Sequence, residues 1–346
     1  RYVTDSLYVS SKPAADTGQN IVLDFDALKA HISGKTPLTK LGDIIQENIN
    51  RHYMGTDTAN GFAAMKHPVE QDSLPASYEL NLVANISDRP ILHGILPELK
   101  SLDTIHIDGK LQPRLLMLNV IMPQITYGSN TINKGEAHVS GSDSAMTYNV
   151  TVDEISAANM HFFKTKASGD ITAHSVSTDL SISDSSEKER FALSASLEQQ
   201  GDTQLVRLRP GLKLNYDTWD VSQPNKIAMA KEGLYVQNFN ISNGGQYLKV
   251  NSETPTPNAP IKVDISNFLL ANITDVISKD TVLLANGILG GDINIMQLQP
   301  DPKMAGKLQV QNLSVLGDTV GNLHIDVNNT RPGAIDADVK IDGRGN

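Results

Sequence analysis

The sequence predicts a mainly β protein with a few short helices, and two observations support this. Short segments such as 212–217 alternate apolar and polar residues with a period of two, the pattern of a strand with one covered face. Turn signals rich in Gly, Ser, Asn and Asp separate these segments along most of the chain. We therefore expect antiparallel strands in series, joined by tight turns.

The first predicted segment, residues 1–76, contains strands, one helix and a long loop. Thr36 and Pro37 supply a cap and a proline at the first helical position, and apolar residues then recur every three or four positions. This spacing predicts a helix over Pro37–Tyr53. The polar stretch Met54–Leu74 is expected to form a loop. The predicted strands are Tyr2–Ser10, Asn20–Asp26 and Leu28–Ser33.

The second predicted segment, residues 77–204, begins with a strand over Ser77–Ile86 and a short helix over about 90–97. Asp88-Arg89-Pro90 is expected to cap this helix, and Pro97-Glu98 to end it. A strand over Thr104–Leu111 follows, and serial strands fill the remainder.

The third predicted segment, residues 205–346, contains four short strands within Gly211–Val250. A change of apolar parity predicts a bulge near Asn238, and Asn243-Gly244-Gly245 predicts a tight hairpin. A short helix is expected over about 269–277, before a glycine-interrupted strand that ends at residue 295. The order strand, short helix, glycine-containing strand occurs at about 77–111 and again at about 260–295. This predicts two units of one repeated architecture, unless the likeness is a coincidence.

The amino-acid composition of the chain argues against several classes of function. The formal net charge of −10 and the pI of about 5.3 argue against a nucleic-acid partner, which needs a clustered basic surface. Aromatic residues make up 5% of the chain, with one tryptophan, too few for a carbohydrate or base-stacking platform. The chain has no cysteine, so disulfides and thiolate metal sites are excluded.

Local catalytic signatures are absent from the sequence. The nine histidines do not occur as H-x-H, as H-E-x-x-H or as pairs four residues apart. G-x-S-x-G, P-loop and G-x-G-x-x-G motifs do not occur either. We therefore expect no enzyme activity, no catalytic residue, no metal site and no cofactor.

The start of the chain at Arg1 and the lack of a run of about 18 apolar residues predict an internal segment of a longer protein. Exposed strand edges are expected at both ends of such a segment. Two copies of the isolated chain are then expected to dimerise by pairing edge strands.

The apolar strand faces have two interpretations. They form the closed core of a sandwich, or they line a sheet that is curled into an open groove. An open groove would hold lipid, because each buried CH₂ contributes about 0.8 kcal/mol, or roughly 12 kcal/mol for an acyl chain of ~15 carbons.

The residues after about 205 resemble the repeated strand unit of the TamB (translocation and assembly module) family, within the AsmA-like group. The resemblance lies in the tryptophan strand 214–219, the following Gly-Leu-x-Val-x-Asn-Phe strand and the Gly-Gly turn. It extends to 263–270, 287–295 and 308–323. The helix over Pro37–Tyr53 and the loop after it depart from the family pattern.

The resemblance implies an elongated, curled antiparallel sheet, a taco-like open groove, in the periplasm. It implies a parent protein anchored in the inner membrane of a Gram-negative bacterium. Phospholipid acyl chains and an outer-membrane barrel-assembly-type protein are the implied partners. The implied function is phospholipid transport between the inner and outer membranes, with a part in outer-membrane biogenesis.

The strand alternation assigns a set of apolar residues to the groove lining. A register slip of one residue would move each of them to the opposite side of the sheet. These residues are Leu212, Leu214, Tyr216, Ile227, Met229, Leu234, Val236, Leu308, Val310, Leu323 and Ile325.

Two other function classes stay open. One is a protein-interaction module that guides the assembly of outer-membrane β-barrel proteins by strand pairing at a sheet edge. The other is a surface adhesin with a β-sandwich fold, which strands rich in Ser, Thr and Asn also suit.

Overall fold

The computed structural model describes residues 7–13, 18–35, 78–142, 144–157, 160–172, 174–275, 284–298, 302–331 and 334–343. Strands dominate these residues and form two large antiparallel sheets, with two short helices. This confirms the predicted mainly β antiparallel class. The predicted helix over Pro37–Tyr53 and the loop over Met54–Leu74 lie outside the described residues.

The chain divides into two compact units. The first unit is residues 1–158 and 163–176, and the second is residues 159–162 and 177–346. The division into segments 1–76, 77–204 and 205–346 stays a prediction.

The first unit is an antiparallel meander. Most of its strands pair with the next strand in sequence, except that the fourth pairs with the sixth and the fifth with the seventh. The strands are β1 Leu7–Pro13, β2 Gln19–Phe25, β3 Leu28–Gly34, β4 Leu80–Ile86, β5 Leu99–Leu102, β6 Ile105–Gln112, β7 Leu115–Tyr127, β8 Asn130–Gly141 and β9 Ala145–Ala157. Strands β10 (Met160–Thr172) and β11 (Ser175–Ser183) span the division between the units.

Helix α1, Pro90–Ile95, confirms the predicted short helix with proline in its first turn. The predicted cap is not formed, because the Asp88 side chain makes no hydrogen bond to the N-terminus of the helix. The Asp88 carboxylate instead accepts hydrogen bonds from His93 Nε2 at 2.6 Å and from the Leu102 amide at 3.1 Å. The bond to Asp88, and the 2.7 Å contact of His93 Nδ1 with the Leu99 carbonyl, raise the pKa of His93. The helix is thereby fastened to β5.

The second unit contains the remaining strands and helix α2, Ala271–Thr274, the described part of the helix predicted near 269–277. Its strands are β12 Glu189–Gln200, β13 Thr203–Leu208, β14 Lys213–Leu214, β15 Asp217–Thr218, β16 Asp220–Val221, β17 Lys226–Ala230, β18 Gly233–Gln237, β19 Phe239–Asn243, β20 Gln246–Ser252, β21 Ile261–Leu269, β22 Ala285–Gln297, β23 Lys303–Val315, β24 Asp318–Arg331 and β25 Ala334–Asp342.

The chain changes sheets at Asn238. Strands β12, β13, β17 and β18 pair in series, whereas β16 and β19–β25 form a separate eight-stranded sheet. Asn238 lies between β18 and β19 with φ +52°. The predicted irregularity is therefore confirmed in position, but it is a crossover between two sheets and more than a bulge. The hairpin at Gly244-Gly245, between β19 and β20, is confirmed.

The strand that was predicted over 212–216 ends at Leu214, so the prediction is wrong for residues 215 and 216. Asn215 and Tyr216 have φ values of +49° and +73° and turn the chain between β14 and β15. The Tyr216 hydroxyl donates to Asp184 Oδ2 at 2.7 Å, a bond that lowers the pKa of Asp184. Tyr216 itself has a raised pKa because of its desolvation and this hydrogen bond.

The core of the second unit surrounds Trp219, which is 2% exposed. Its ring lies 5.4 Å from that of Phe268, centroid to centroid. Leu208, Leu212 and Ile241 complete the buried cluster. Partly buried residues pack around it, namely Leu214, Val221, Phe239, Leu248, Ile265 and Leu289.

A short pattern recurs three times in the second unit: two alternating apolar residues, one intervening residue, an asparagine and another apolar residue. It ends at Asn238-Phe239, Asn267-Phe268 and Asn312-Leu313. Each of these asparagines has a positive φ, between 49° and 52°. Asparagine tolerates this conformation better than most residues. Register shifts accompany the last two, between Ile265 and Phe268 and between Val310 and Leu313.

Candidate functional site

The eight-stranded sheet has one apolar face. Residues that pair directly across antiparallel strands point to the same side, so the register groups side chains into rows. One row is Ile241, Leu248, Ile265, Gly291, Leu308, Ile325 and Val339. The next row is Phe239, Val250, Val263, Ile293, Gly306, Val327 and Ala337. We call these rows, with Leu289, Val310, Leu323 and Ile341 beside them, the apolar face.

The opposite side of this sheet is polar. Its central row is Lys249, Asp264, Asp292, Lys307, Asp326 and Asp338, which we call the charged row. Lys307 Nζ lies 2.9 Å from Asp326 Oδ2, and this contact raises the pKa of Lys307. Next to this row, the strands alternate apolar and polar side chains.

Coverage of the apolar face decreases along the sheet. Phe239, Leu248, Ile265 and Leu289 pack against the Trp219 cluster. Leu308 and Ile325, farther along, are half-buried, whereas Val310 on the same strand as Leu308 is 7% exposed. On the last strand, Val339 is 59% exposed and Ile341 is 47% exposed. The apolar face is therefore part of the core near Trp219, and its aliphatic side chains are exposed on β25.

The strands of the first unit also place apolar residues in rows on one side of the sheet. One row across β1–β9 is Val9, Leu23, Ala30, Ala84, Ile107, Val120, Ala137 and Val150. A neighbouring row is Ser11, Ile21, Ile32, Leu82, Gly109, Leu118, Val139 and Tyr148. On the other side, His106 and His138 hydrogen-bond Asn85 and Asn119 of the adjacent strands, at 2.6 Å and 2.9 Å. Each histidine therefore bonds to the asparagine directly opposite it on the neighbouring strand.

The predicted lining residues fall into three groups. The last four, Leu308, Val310, Leu323 and Ile325, lie together on the apolar face of β23 and β24. Ile227, Met229, Leu234 and Val236 share one side of the β17–β18 hairpin, although Val236 is only 5% exposed.

The third group is Leu212, Leu214 and Tyr216, which do not form a lining row. Leu212 is 4% exposed within the Trp219 cluster, and Leu214 packs against that cluster. Tyr216 lies in the β14–β15 turn and bonds to Asp184. The side chains of this group therefore serve the core and the turn.

The apolar face also contains residues that were not predicted to line the groove. Val263 and Ile265 on β21, and Ile293 and Ile295 on β22, extend it between the core and β23. The alternation Val-Asp-Ile and Ile-Asn-Ile in these strands is the sequence signal that identifies them.

Candidate metal ligands do not cluster in the described residues. In this part of the chain, His, Asp and Glu side chains do not form a group of three or more able to hold a metal ion. Ion pairs join neighbouring strands, such as Lys164 Nζ with Asp153 Oδ1 at 3.0 Å, which lowers the pKa of Asp153. None of the helices in the described ranges is long and apolar enough to cross a membrane.

Comparison with protein-family models, curated proteins and solved structures finds no match to this chain. The geometry of the sheets is therefore the basis for the functional argument.

Proposed function

We propose that the chain is a periplasmic β-groove segment that shields lipid acyl chains and takes part in phospholipid transport between the inner and outer membranes and in outer-membrane biogenesis. The observation that carries the proposal is the apolar face of the eight-stranded sheet. It extends from the Trp219 core to Val339, and its aliphatic side chains become more exposed along the way. The resemblance to the TamB family supports the periplasmic location.

Aliphatic rows suit an acyl chain for a physical reason. Burial of each CH₂ contributes about 0.8 kcal/mol, and this gain has no directional requirement. A chain that slides along the face exchanges one aliphatic contact for another, so its free energy changes little. A polar pocket would instead hold the lipid at one point.

The polar side of the sheet complements this role. The charged row keeps the second surface hydrated, so that a single layer of strands separates an acyl chain from water. The function requires no chemical step, and its partners are phospholipid acyl chains and, by resemblance, an outer-membrane barrel-assembly-type protein.

The test is lipid co-purification with two adjacent substitutions on β23. Leu308→Asp places a carboxylate on the apolar face, where it makes acyl burial unfavourable. Gln309→Asp places the same carboxylate on the exposed polar side of the same strand and is the matched control. We expect bound phospholipid, measured by mass spectrometry of an organic extract, to fall several-fold in Leu308→Asp and to remain in Gln309→Asp.

Far-ultraviolet circular dichroism and thermal unfolding accompany the lipid measurement. A folded Leu308→Asp chain with unchanged lipid content would contradict the proposal. Absence of lipid from the unaltered chain would also contradict it and would favour the adhesin or protein-interaction functions.

A further inference from the structure

The segment between β4 and β6 contains a histidine that faces an acceptor at each of its ring nitrogens. Strands β4 and β6 pair directly with each other, so residues 87–104, with α1 and β5, form an insertion between them. Within it, His93 Nε2 lies 2.6 Å from Asp88 Oδ1, and His93 Nδ1 lies 2.7 Å from the Leu99 carbonyl oxygen. We call this pair of contacts the His93 clasp.

Only the protonated imidazole can make both contacts as hydrogen bonds. A carboxylate and a carbonyl oxygen accept hydrogen bonds, so each ring nitrogen must carry a proton to bond to its partner. The neutral ring carries a proton on one nitrogen, and in either tautomer the other nitrogen points a lone pair at an acceptor oxygen. Loss of a proton therefore replaces one of the two bonds by a repulsive contact.

Burial holds α1 only weakly. None of the six residues of α1, all of which the structure describes, is buried, and Ile95 is 67% exposed. Strand β5, in contrast, pairs with β7 and buries Leu99 and Leu102. The clasp thus joins a helix with little buried surface to a strand that is fixed by its own pairing and packing.

The clasp is accessible to solvent and has one charged partner. The side chains of His93 and Asp88 are 35% and 34% exposed, so both can exchange protons with water. Among the described residues, Asp88 is the charged group that acts on His93, through its hydrogen bond and its charge. The other charged or titratable residues of the insertion, of the β2–β3 turn beside it and of the β7 segment paired with β5 are Asp26, Arg89, Glu98, Lys100, Asp103 and Tyr127. Arg89 Nε pairs with Asp26 Oδ1 at 3.6 Å.

We infer that His93 is a pH-sensitive clasp, which fastens α1 to β5 when it is protonated and releases the helix when it loses a proton. The contacts with Asp88 and Leu99 raise the pKa of His93 above its ordinary value of about 6.5. The stabilisation is therefore fully present below about pH 6.5 and is lost as the pH rises through the raised pKa. The inference concerns the first unit alone and does not depend on lipid binding.

The experiment measures hydrogen–deuterium exchange of the full chain by mass spectrometry, with rates corrected for the pH dependence of intrinsic exchange. From the size of interactions between partly exposed charges, we expect peptides that cover α1 to lose about two- to fivefold of their protection between about pH 6 and about pH 9. Peptides from β9 are the internal reference, because this strand contains no histidine, and their protection should stay the same.

Three variants isolate the clasp. His93→Gln cannot change its charge and should remove the pH dependence of α1. Asp88→Asn should move the transition to lower pH, because an amide carries no charge that favours the protonated ring. His106→Gln is the matched control, since the His106 ring contacts Asn85 on the polar face of the sheet, and it should keep the pH dependence of α1.

Circular dichroism checks the fold of each variant, and a nuclear magnetic resonance titration of His93 in the unaltered chain needs no variant at all. Three results would overturn the inference. They are pH-independent protection of α1 in the unaltered chain, a pH dependence that survives in His93→Gln, and a measured His93 pKa at or below about 6.5.

Discussion

At the scale of single residues, Trp219 organises the second unit and also reports on it. It is the only tryptophan in the chain, it is 2% exposed, and it contacts Phe268 in a tilted arrangement. Its fluorescence therefore reports the packing between the 211–221 segment and the eight-stranded sheet. Because the chain has no second tryptophan, the tryptophan signal comes from this site alone.

Phe268→Ala tests this core. Removal of a buried phenylalanine costs about 3–5 kcal/mol, because it loses transfer free energy and leaves a cavity beside Trp219. We expect urea unfolding, followed by tryptophan fluorescence, to show that loss. Leu269→Ala is the matched control, since Leu269 is 37% exposed and should change stability far less. Equal effects of both substitutions would show that the cluster is not the main source of stability there.

At the scale of elements, the pairing of β22 with β23 leaves no room for a side chain at residue 291. Gly291 has a φ of +132°, and a Cβ atom there would lie 2.0 Å from the Lys307 carbonyl oxygen. A side chain at this position would displace β23, because both the backbone conformation and the space exclude it.

Gly291→Ala is accordingly expected to destabilise the protein by more than about 1 kcal/mol, as seen in thermal or urea unfolding. Gly245→Ala provides the comparison, because a Cβ atom at this turn meets no atom within 4 Å. Its stability should stay the same or rise by up to about 1 kcal/mol. A neutral Gly291→Ala would indicate that β22 and β23 can separate without cost.

The strands themselves were the most predictable elements, and the reason is local. Alternation within β23 and β24 places Leu308, Val310, Leu323 and Ile325 on one side without knowledge of any partner strand. The Gly244-Gly245 hairpin was predictable because its residues accept the turn conformation.

Features that depend on distant contacts were not predictable. Tyr216 continues the alternation of Leu212 and Leu214, yet it adopts a positive φ that tyrosine seldom takes. At Asn238 the parity change indicates an irregularity but not a crossover, because a bulge and a change of sheet shift parity alike. The rows of the apolar face require the register between strands, which alternation within one strand does not contain.

At the scale of the whole molecule, each unit combines an antiparallel meander, a short helix and a two-sided sheet. The order β4, α1, β5 and β6 in the first unit resembles β21, α2 and β22 in the second. The repetition of one architecture over two units stays a prediction. The net charge of −10 applies to the chain as a whole and makes its interaction with anionic surfaces unfavourable.

This charge leads to a prediction about lipid uptake under the proposed function. Anionic vesicles should repel the chain at low salt, and screening should relieve the repulsion as the Debye length falls from about 10 Å at 0.1 M to about 3 Å at 1 M. We expect transfer of fluorescent phospholipid from anionic vesicles to become faster with salt, and transfer from neutral vesicles to change little. Faster transfer at low salt would contradict this expectation.

The positive-φ asparagines of the second unit have a consequence for how such a chain tolerates changes in length. Deletion of one residue from a regular strand moves every following side chain to the opposite face of the sheet. Aliphatic side chains then lie on the polar face. Asn267 and Asn312 lie where the register already shifts, so a single-residue gain or loss there can be absorbed locally. Related genes should therefore differ in length at these asparagines and at hairpin turns, while the intervening strands change only by substitution.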